Sequence, residues 1–393
     1  MDIIDLVISY FNLNKLNIYK EFIILSSISQ LIRYKNHPRN NIFNYFIILK
    51  KYTHLIFRII FYKFQYISFS KYIPNHSKKS LDIVIVYPNN DNWVLKGLSK
   101  DLESKINELG SKAKCIQYLE LNKNLNAANY LFIQHTHAIN SIKDWPYIIE
   151  RSSVYISHLR TITLKEVEVL SRFKYVFCQS SKDQMRLYTL GCLPGRVINL
   201  PVGVDSDLFI NEEKFINRFY DFTLSLPLKV NQIGSHYWHR KSVNLIKDIL
   251  LELAQRDYKI LLLGEGWEST FLTECKNIKI ANPKYKEKNK FLNKSKFFLN
   301  LSLIEGGPVT ILEAIASGCI VLSKDNGFSI DIKNNLPNSL FLLDNSFNSK
   351  YLVDRIEKVY KSHKLKNQID NSEIYKNYSF KSLAYKIINT LDL

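Results

Sequence analysis

The chain has 393 residues, and 54 Lys and Arg against 36 Asp and Glu give it a formal net charge of +18 at pH 7. A hydrophobic content of 46% excludes an intrinsically disordered chain, and 12 Gly with 10 Pro exclude collagen-like and low-complexity classes. The five cysteines are widely spaced without a Cys-x-x-Cys pair. This argues against a disulfide framework or a zinc module and favours a reducing compartment.

Residues 1–80 are the most basic part of the chain, with twelve Lys or Arg, three acidic residues and no glycine. Their aromatic segment 41–73 predicts a mainly helical extension, but Lys50, Lys51 and Arg58 interrupt any apolar run long enough to cross a bilayer. Such a helix either lies on an anionic membrane surface or packs on its own protein with its charges solvated. No nucleic-acid-binding motif is present, so nucleic acid is not expected as a partner.

From residue 81 onward, short apolar runs alternate with amphipathic stretches, a pattern that predicts parallel sheets covered by helices. In the first half, strands are predicted at 81–87, 130–134, 154–157, 175–178 and 197–202, and helices at 93–110, 164–173 and 181–191. In the second half, strands are predicted at 228–233, 259–263, 278–281, 297–301, 319–323 and 340–343, and helices at 242–256, 309–317 and 351–361.

Two successive units of this kind predict an α/β protein with two Rossmann-like domains whose parallel sheets face a cleft. We expect an N-terminal domain over 81–204 and a second domain over 205–375. A final amphipathic helix within 376–393 is expected to pack back across both domains. Asp205-Ser206-Asp207 resembles a metal-binding pattern but lies at the predicted crossing between domains, where turn chemistry is the expected role.

Segment 305–318, Glu-Gly-Gly-Pro-Val-Thr-Ile-Leu-Glu-Ala-Ile-Ala-Ser-Gly, joins a predicted strand to a predicted helix. Its glycines allow close approach to a ligand, and Pro308 suits the first turn of a helix. The start of that helix presents free N–H groups and the positive end of its dipole, which favours a diphosphate. Glu305 and Glu313 are placed to accept hydrogen bonds from sugar hydroxyls.

Residues 305–323 resemble the Glu-x7-Glu signature region of retaining glycosyltransferases of the GT-B fold, family 4, a group also described as glycosyl transferases group 1. Further similar pieces follow the family's order, namely Ser180 with its helix, segment 200–209, Gly234 followed by Arg240-Lys241, and Gly264-Glu265-Gly266. The resemblance covers about residues 81–393 and leaves 1–80 unexplained.

The resemblance implies a donor site for a nucleotide sugar, used as a co-substrate with no cofactor and no metal. Glu313 would hold the ribose, Glu305 the hydroxyls of the transferred sugar, and Lys241 with Arg240 the diphosphate. Backbone groups around the site would complete it, namely those of Gly264, Gly266, Gly306, Gly307, Val309 and Thr310. Such cations and N–H dipoles lower the barrier to departure of a nucleoside diphosphate, because charge builds up on it as the bond breaks.

The resemblance also implies a histidine from the first domain beside the donor sugar. His158, after a predicted strand, matches this position best and joins Glu305 and Lys241 as a catalytic residue; His135 and His137 are the alternatives. One departure from the family is Ser235, which stands where an arginine often follows the glycine.

These features predict a cytoplasmic glycosyltransferase, resting peripherally on the inner face of the membrane, that extends a glycan or a lipid-linked acceptor. Asp2 and Asp5 precede any basic region, which fits a signal peptide poorly. The alternatives are another GT-B enzyme, such as a nucleotide-sugar epimerase or a phosphorylase, and a non-catalytic GT-B scaffold at a membrane.

Overall fold

The structure is a computed structural model. It describes residues 81–88, 93–123, 127–134, 138–139, 146–157, 159, 162–229, 232–363 and 372–393. The predicted extension over 1–80 lies outside the described residues. The described residues belong to one compact unit.

The first six-stranded sheet is parallel, with strand order β2-β1-β3-β4-β5-β6. Its strands are β1 (Ile83–Tyr87), β2 (Ala113–Gln117), β3 (Asn129–Ile133), β4 (Ser152–Ile156), β5 (Val176–Cys178) and β6 (Val197–Asn199). The accompanying helices are α1 (Trp93–Glu108), α2 (Leu164–Leu170) and α3 (Ser181–Thr189). The edge strand β2 was not predicted, because its sequence Ala-Lys-Cys-Ile-Gln has no continuous apolar run.

The second sheet is also parallel and six-stranded, with order β12-β11-β10-β7-β8-β9. Its strands are β7 (Tyr220–Ser225), β8 (Ile260–Leu263), β9 (Ile278–Ala281), β10 (Ser295–Asn300), β11 (Ile320–Lys324) and β12 (Leu340–Leu343). The helices are α4 (His236–Lys241), α5 (Val243–Gln255), α6 (Lys288–Leu292), α7 (Val309–Ala316), α8 (Ser329–Asn335), α9 (Ser349–His363), α10 (Ser372–Tyr378) and α11 (Phe380–Leu391). The predicted α/β class with two Rossmann-like sheets is therefore confirmed.

The strand predicted at 228–233 is wrong, since the central strand β7 ends before it, at Ser225. Polar residues interrupt the apolar pattern of β7, and the neighbouring strand β10 provides their partners. Asp221 pairs with Lys296 at 3.1 Å, and Thr223 hydrogen-bonds with Ser295. Leu228 instead lies in a loop, where its N–H donates to the carbonyl of Glu265 at 2.8 Å. The strand is therefore the more polar segment Tyr220–Ser225, and the apolar run that begins at Leu228 follows it.

The segment after the first sheet is paired with the segment that leads into the last helix. The N–H of Val204 donates to Tyr378 O at 2.7 Å, and the N–H of Phe380 donates to Val204 O at 3.1 Å. A Cβ at Gly203 would lie 2.6 Å from Phe380 N, so the two backbones touch. From there α11 runs back against α1, and Lys174 Nζ donates to Leu391 O at 3.3 Å. The C-terminal helix therefore packs on the first sheet's layer of helices.

A second contact between the two halves joins the start of α3 to α8. The N–H of Ser181 donates to Asp331 Oδ2 at 2.8 Å, and Lys182 Nζ lies 3.7 Å from Asp325 Oδ2. Burial, reinforced by the negative charge of Asp331, raises the pKa of Asp183 to about 6, although Ser180 and the nearby cations oppose the shift. Ionising Asp183 therefore costs free energy in the folded protein.

Among the described residues, no helix has both the length and the apolar character required for a bilayer span.

We predict that Asp183 makes the free energy of unfolding fall as the pH rises from about 4 to about 6. A carboxyl with a raised pKa binds its proton more tightly when folded, so its contribution is present at low pH and is lost through this window. Replacing it by Asp183→Asn should flatten the profile of unfolding free energy, measured by urea titration at each pH. Asp248→Asn, on the exposed face of α5, is the control; equal slopes for the wild type and Asp183→Asn would contradict the prediction.

Candidate active site

Two loops of interest lie at the carboxyl edge of the second sheet. One follows β10 and contains Glu305, Gly306 and Gly307 before α7 begins; the other is the turn Gly264-Glu265-Gly266 after β8. In open parallel sheets, the loops at the carboxyl ends of the strands are where ligands bind.

Glu305 is the centre of a buried ion cluster. Its side chain is 7% exposed, and its carboxylate contacts Arg240 Nη1 at 3.1 Å as well as Lys241 Nζ. Burial alone would raise the pKa of Glu305, but the positive charges of Lys241 and Arg240 outweigh it and the pKa is lowered. The cluster of Glu305, Arg240 and Lys241 carries two cations for one anion and is net positive.

The short helix α4 positions this cluster. The carbonyl of Arg240 accepts hydrogen bonds from the N–H groups of Leu303 and Ile304 at 2.9 and 3.3 Å, and its guanidinium donates to Ile304 O at 3.2 Å. Ser242, with φ of 55°, lies in the left-handed region and separates α4 from α5. The chain therefore turns directly after Lys241, which leaves both cations beside Glu305.

A buried network of hydrogen bonds stabilises the loop after β10. Asn300, at the end of β10, donates to Ser323 Oγ at 2.8 Å and to Asn326 Oδ1 at 3.1 Å. The Asn326 amide in turn donates to the carbonyl of Ser302. Because buried amides of this kind are costly when unpaired, the network ties the loop after β10 to the loop after β11.

Two glycines of this edge allow close contacts that a side chain would obstruct. Gly266 has φ of 86°, and a Cβ there would lie 2.2 Å from Leu228 O, so the loops after β7 and β8 pack directly on each other. At Gly307 a Cβ would lie 1.5 Å from Gln179 Oε1 and 2.8 Å from the ring of Phe328. The loop before α7 is therefore enclosed between a side chain of the first domain and one of the second.

Helix α7 begins at Val309, followed by Thr310, and Pro308 precedes it without a side-chain capping bond. The positive end of this helix therefore lies next to the net-positive ion cluster. Together they form a site suited to an anion with several oxygen atoms.

Glu313 lies further along α7 and has different partners from Glu305. It is buried, its Oε2 contacts Lys288 Nζ at 2.5 Å, and its negative charge lies close to Tyr285. Burial raises the pKa of Tyr285, and the negative charge of Glu313 adds to this shift. The structure thus brings Glu305, Arg240 and Lys241 together and places Glu313 in a second cluster with Lys288 and Tyr285.

Three residues of this edge were missed from the sequence. Lys288 and Tyr285 belong to the lysine-rich segment 284–290, which is typical of a solvated surface. Gln179 follows β5 in the first domain and carries no local signal. The feature that could have indicated Lys288 is the buried position of Glu313 on an otherwise apolar helix face, because a buried carboxylate needs a partner.

The predicted catalytic His158 and its alternatives His135 and His137 lie outside the described residues. The predicted turn at Asp205 is present: Asp205 Oδ1 accepts hydrogen bonds from the N–H groups of Asp207 and Leu208 at 3.0 and 3.2 Å.

Solved structures with the same architecture include HepE of Anabaena in complex with UDP, with a TM-score of 0.60, 10% identity, and coverage of 79% of this chain and 100% of that chain. A glycosyltransferase from Rickettsia africae ESF-5 gives a TM-score of 0.61 and 13% identity over 80% of this chain and 98% of that one. Sucrose-phosphate synthase from Thermosynechococcus elongatus gives 0.58 and 9%, with coverage of 78% and 97%.

Two parallel Rossmann-like sheets of this kind, with loops gathered at their carboxyl edges, form the GT-B fold that these solved structures share. Residues 235–374 match the model of the family described as glycosyl transferases group 1. This match within the second domain bears out the resemblance predicted from residues 305–323, and the protein is a glycosyltransferase. Among proteins of curated function, none matches this chain in sequence.

We predict that Glu305→Gln lowers the free energy of unfolding by about 3 kcal/mol, because two cations then lose the carboxylate that compensates them in a buried site. Urea denaturation at pH 7 measures the change. Glu265→Gln, an exposed residue of the neighbouring glycine turn, should change the free energy by less than about 0.5 kcal/mol. Equal losses in the two variants would show that the cluster is not a stabilising centre.

Proposed function

We propose that this glycosyltransferase transfers a sugar from a nucleotide-sugar donor to a glycan or lipid-linked acceptor. The observation that carries the proposal is the buried, net-positive cluster of Glu305, Arg240 and Lys241 beside the start of α7. Structures of HepE with UDP and with UDP-glucose support a nucleotide sugar as the ligand class of this fold.

The proposed chemistry follows from charge. As the bond between sugar and nucleoside diphosphate breaks, negative charge accumulates on the diphosphate, and Lys241, Arg240 and the N–H groups at the start of α7 stabilise it. Glu305 would accept hydrogen bonds from the transferred sugar while holding the two cations in place. Glu313, oriented by Lys288, would accept hydrogen bonds from the ribose hydroxyls.

We further propose that the reaction retains the anomeric configuration and proceeds without a divalent metal. The support is the resemblance of residues 305–323 and the presence of two side-chain cations where leaving-group charge would develop. The anomeric proton coupling of the product, measured by NMR, tests retention. Activity that persists in excess EDTA tests metal independence, and its abolition would contradict it.

We predict that one class of nucleotide sugar raises the melting temperature in a screen of UDP-, GDP-, ADP- and CMP-linked sugars, because a ligand of the folded state stabilises it by mass action. Glu313→Gln should then weaken binding of that nucleotide sugar about tenfold, since it removes a charged acceptor of hydrogen bonds. Isothermal titration calorimetry measures the dissociation constants. Glu287→Gln, which changes an exposed carboxylate next to Lys288 in the sequence, is the control.

Unchanged binding by Glu313→Gln would contradict the assignment of the ribose site. Conversion of the donor to an epimer without any acceptor would favour an epimerase, and release of a sugar phosphate in the presence of phosphate would favour a phosphorylase. Binding of none of the four classes would favour a non-catalytic scaffold.

We also propose that the enzyme acts in the cytoplasm at the inner face of a membrane, with residues 1–80 on an anionic lipid surface. The support is their net charge of +9 together with their aromatic content. Reversing two charges, Lys51→Glu with Arg58→Glu, should reduce co-sedimentation of the full chain with phosphatidylserine vesicles. Equal sedimentation of the wild type and the variant would contradict the proposal.

A further inference from the structure

Gln179 is a buried polar residue with an unmet hydrogen-bonding requirement. It follows β5 at the carboxyl edge of the first sheet and is 4% exposed. Its carboxamide oxygen, Oε1, has no hydrogen-bond partner among the residues that the structure describes. A buried acceptor left in this state costs free energy, so a donor from a bound molecule would be favoured there.

The position of this oxygen relates it to the donor site. A Cβ built on Gly307 would lie 1.5 Å from Oε1 and 2.7 Å from the side-chain carbon that bears it. The carboxamide thus occupies the space next to the backbone of the loop before α7. Glu305, which we propose to hold the hydroxyls of the transferred sugar, lies two residues earlier in the same loop.

Neighbouring contacts fix Gln179 in this place. Ser180 caps α3 by accepting a hydrogen bond from the N–H of Asp183 at 3.1 Å, and the N–H of Ser181 donates to Asp331 Oδ2 of the second domain at 2.8 Å. Residues directly after Gln179 are therefore anchored to both domains. The backbone that carries Gln179 is consequently held in place by both domains before a ligand arrives.

The hydrogen-bonding capacity of this oxygen limits which part of the donor can bind it. A carboxamide oxygen only accepts hydrogen bonds, and the oxygens of an ionised diphosphate also only accept, so the diphosphate cannot satisfy it. A sugar hydroxyl can donate. We propose that Gln179 Oε1 accepts a hydrogen bond from a hydroxyl of the transferred sugar, which makes Gln179 a specificity-determining residue supplied by the first domain.

This inference rests on the proposed nucleotide-sugar donor, and its test distinguishes a failure of the inference from a failure of the proposed function. The readout is the ratio of the dissociation constants of the free nucleoside diphosphate and its sugar conjugate, for example UDP and UDP-glucose, measured by calorimetry on the full chain. The conjugate used is the one that gives the largest stabilisation of the wild type. Because both ligands share the diphosphate, a purely structural defect would weaken them alike and leave the ratio unchanged.

We expect Gln179→Met, which keeps the size but removes the acceptor, to reduce the preference for the sugar conjugate about threefold to tenfold. Gln179→Glu, which keeps an accepting oxygen, should retain most of the preference. The matched control is Gln184→Met on α3, where the glutamine amide already donates to Val197 O at 2.9 Å. It should leave the ratio unchanged.

An unchanged ratio in Gln179→Met, or an equal loss for both ligands, would overturn the inference while the proposed donor stands. If the wild type binds no nucleotide sugar, the proposed function fails and the inference fails with it. Thermal melts of each variant without ligand identify a variant that does not fold; in that case the ratio for Gln179→Glu decides, and a loss of preference there would overturn the inference.

Discussion

A single buried carboxylate holds the ligand-facing edge of the second domain together. Glu305 compensates Arg240 and Lys241, which lie at the end of one helix, while the carboxylate itself belongs to the loop before another. Each of the three charges would be unfavourable alone in such a buried position, because only oppositely charged partners offset the free-energy cost of removing an ion from water. The shape of the loop after β10 and the end of α4 therefore depend on each other.

This dependence has an electrostatic consequence. The cluster gathers two cations around one carboxylate beside the start of α7, and the left-handed turn at Ser242 ends α4 directly after those cations. The second carboxylate, Glu313 on α7, is paired with Lys288 instead. Two acids eight residues apart thus lie in different surroundings, one net positive and one balanced, and this difference suits them to different parts of one ligand.

Local patterns in the sequence were sufficient for the architecture and for part of the site. The alternation of apolar runs and amphipathic stretches predicted most strands, and the sequence from Glu305 to Gly318 identified the loop and the helix that follow β10. The strand β7 was missed because its polar residues are satisfied by distant partners such as Lys296 and Ser295. Lys288 and Gln179 were missed for the same reason: their importance arises from contacts with residues far along the chain, which no local spacing encodes.

The return of α11 to the first domain imposes an order on synthesis. Helix α1, against which α11 packs, is synthesised early in the described chain, whereas α11 is synthesised after the whole second domain. During translation the apolar surface of α1 therefore stays exposed to solvent while about 280 residues are made, unless another molecule binds it. At typical elongation rates that interval lasts about 15–60 s, long enough for a chaperone to bind, and the first domain reaches its native packing only after the second has been synthesised.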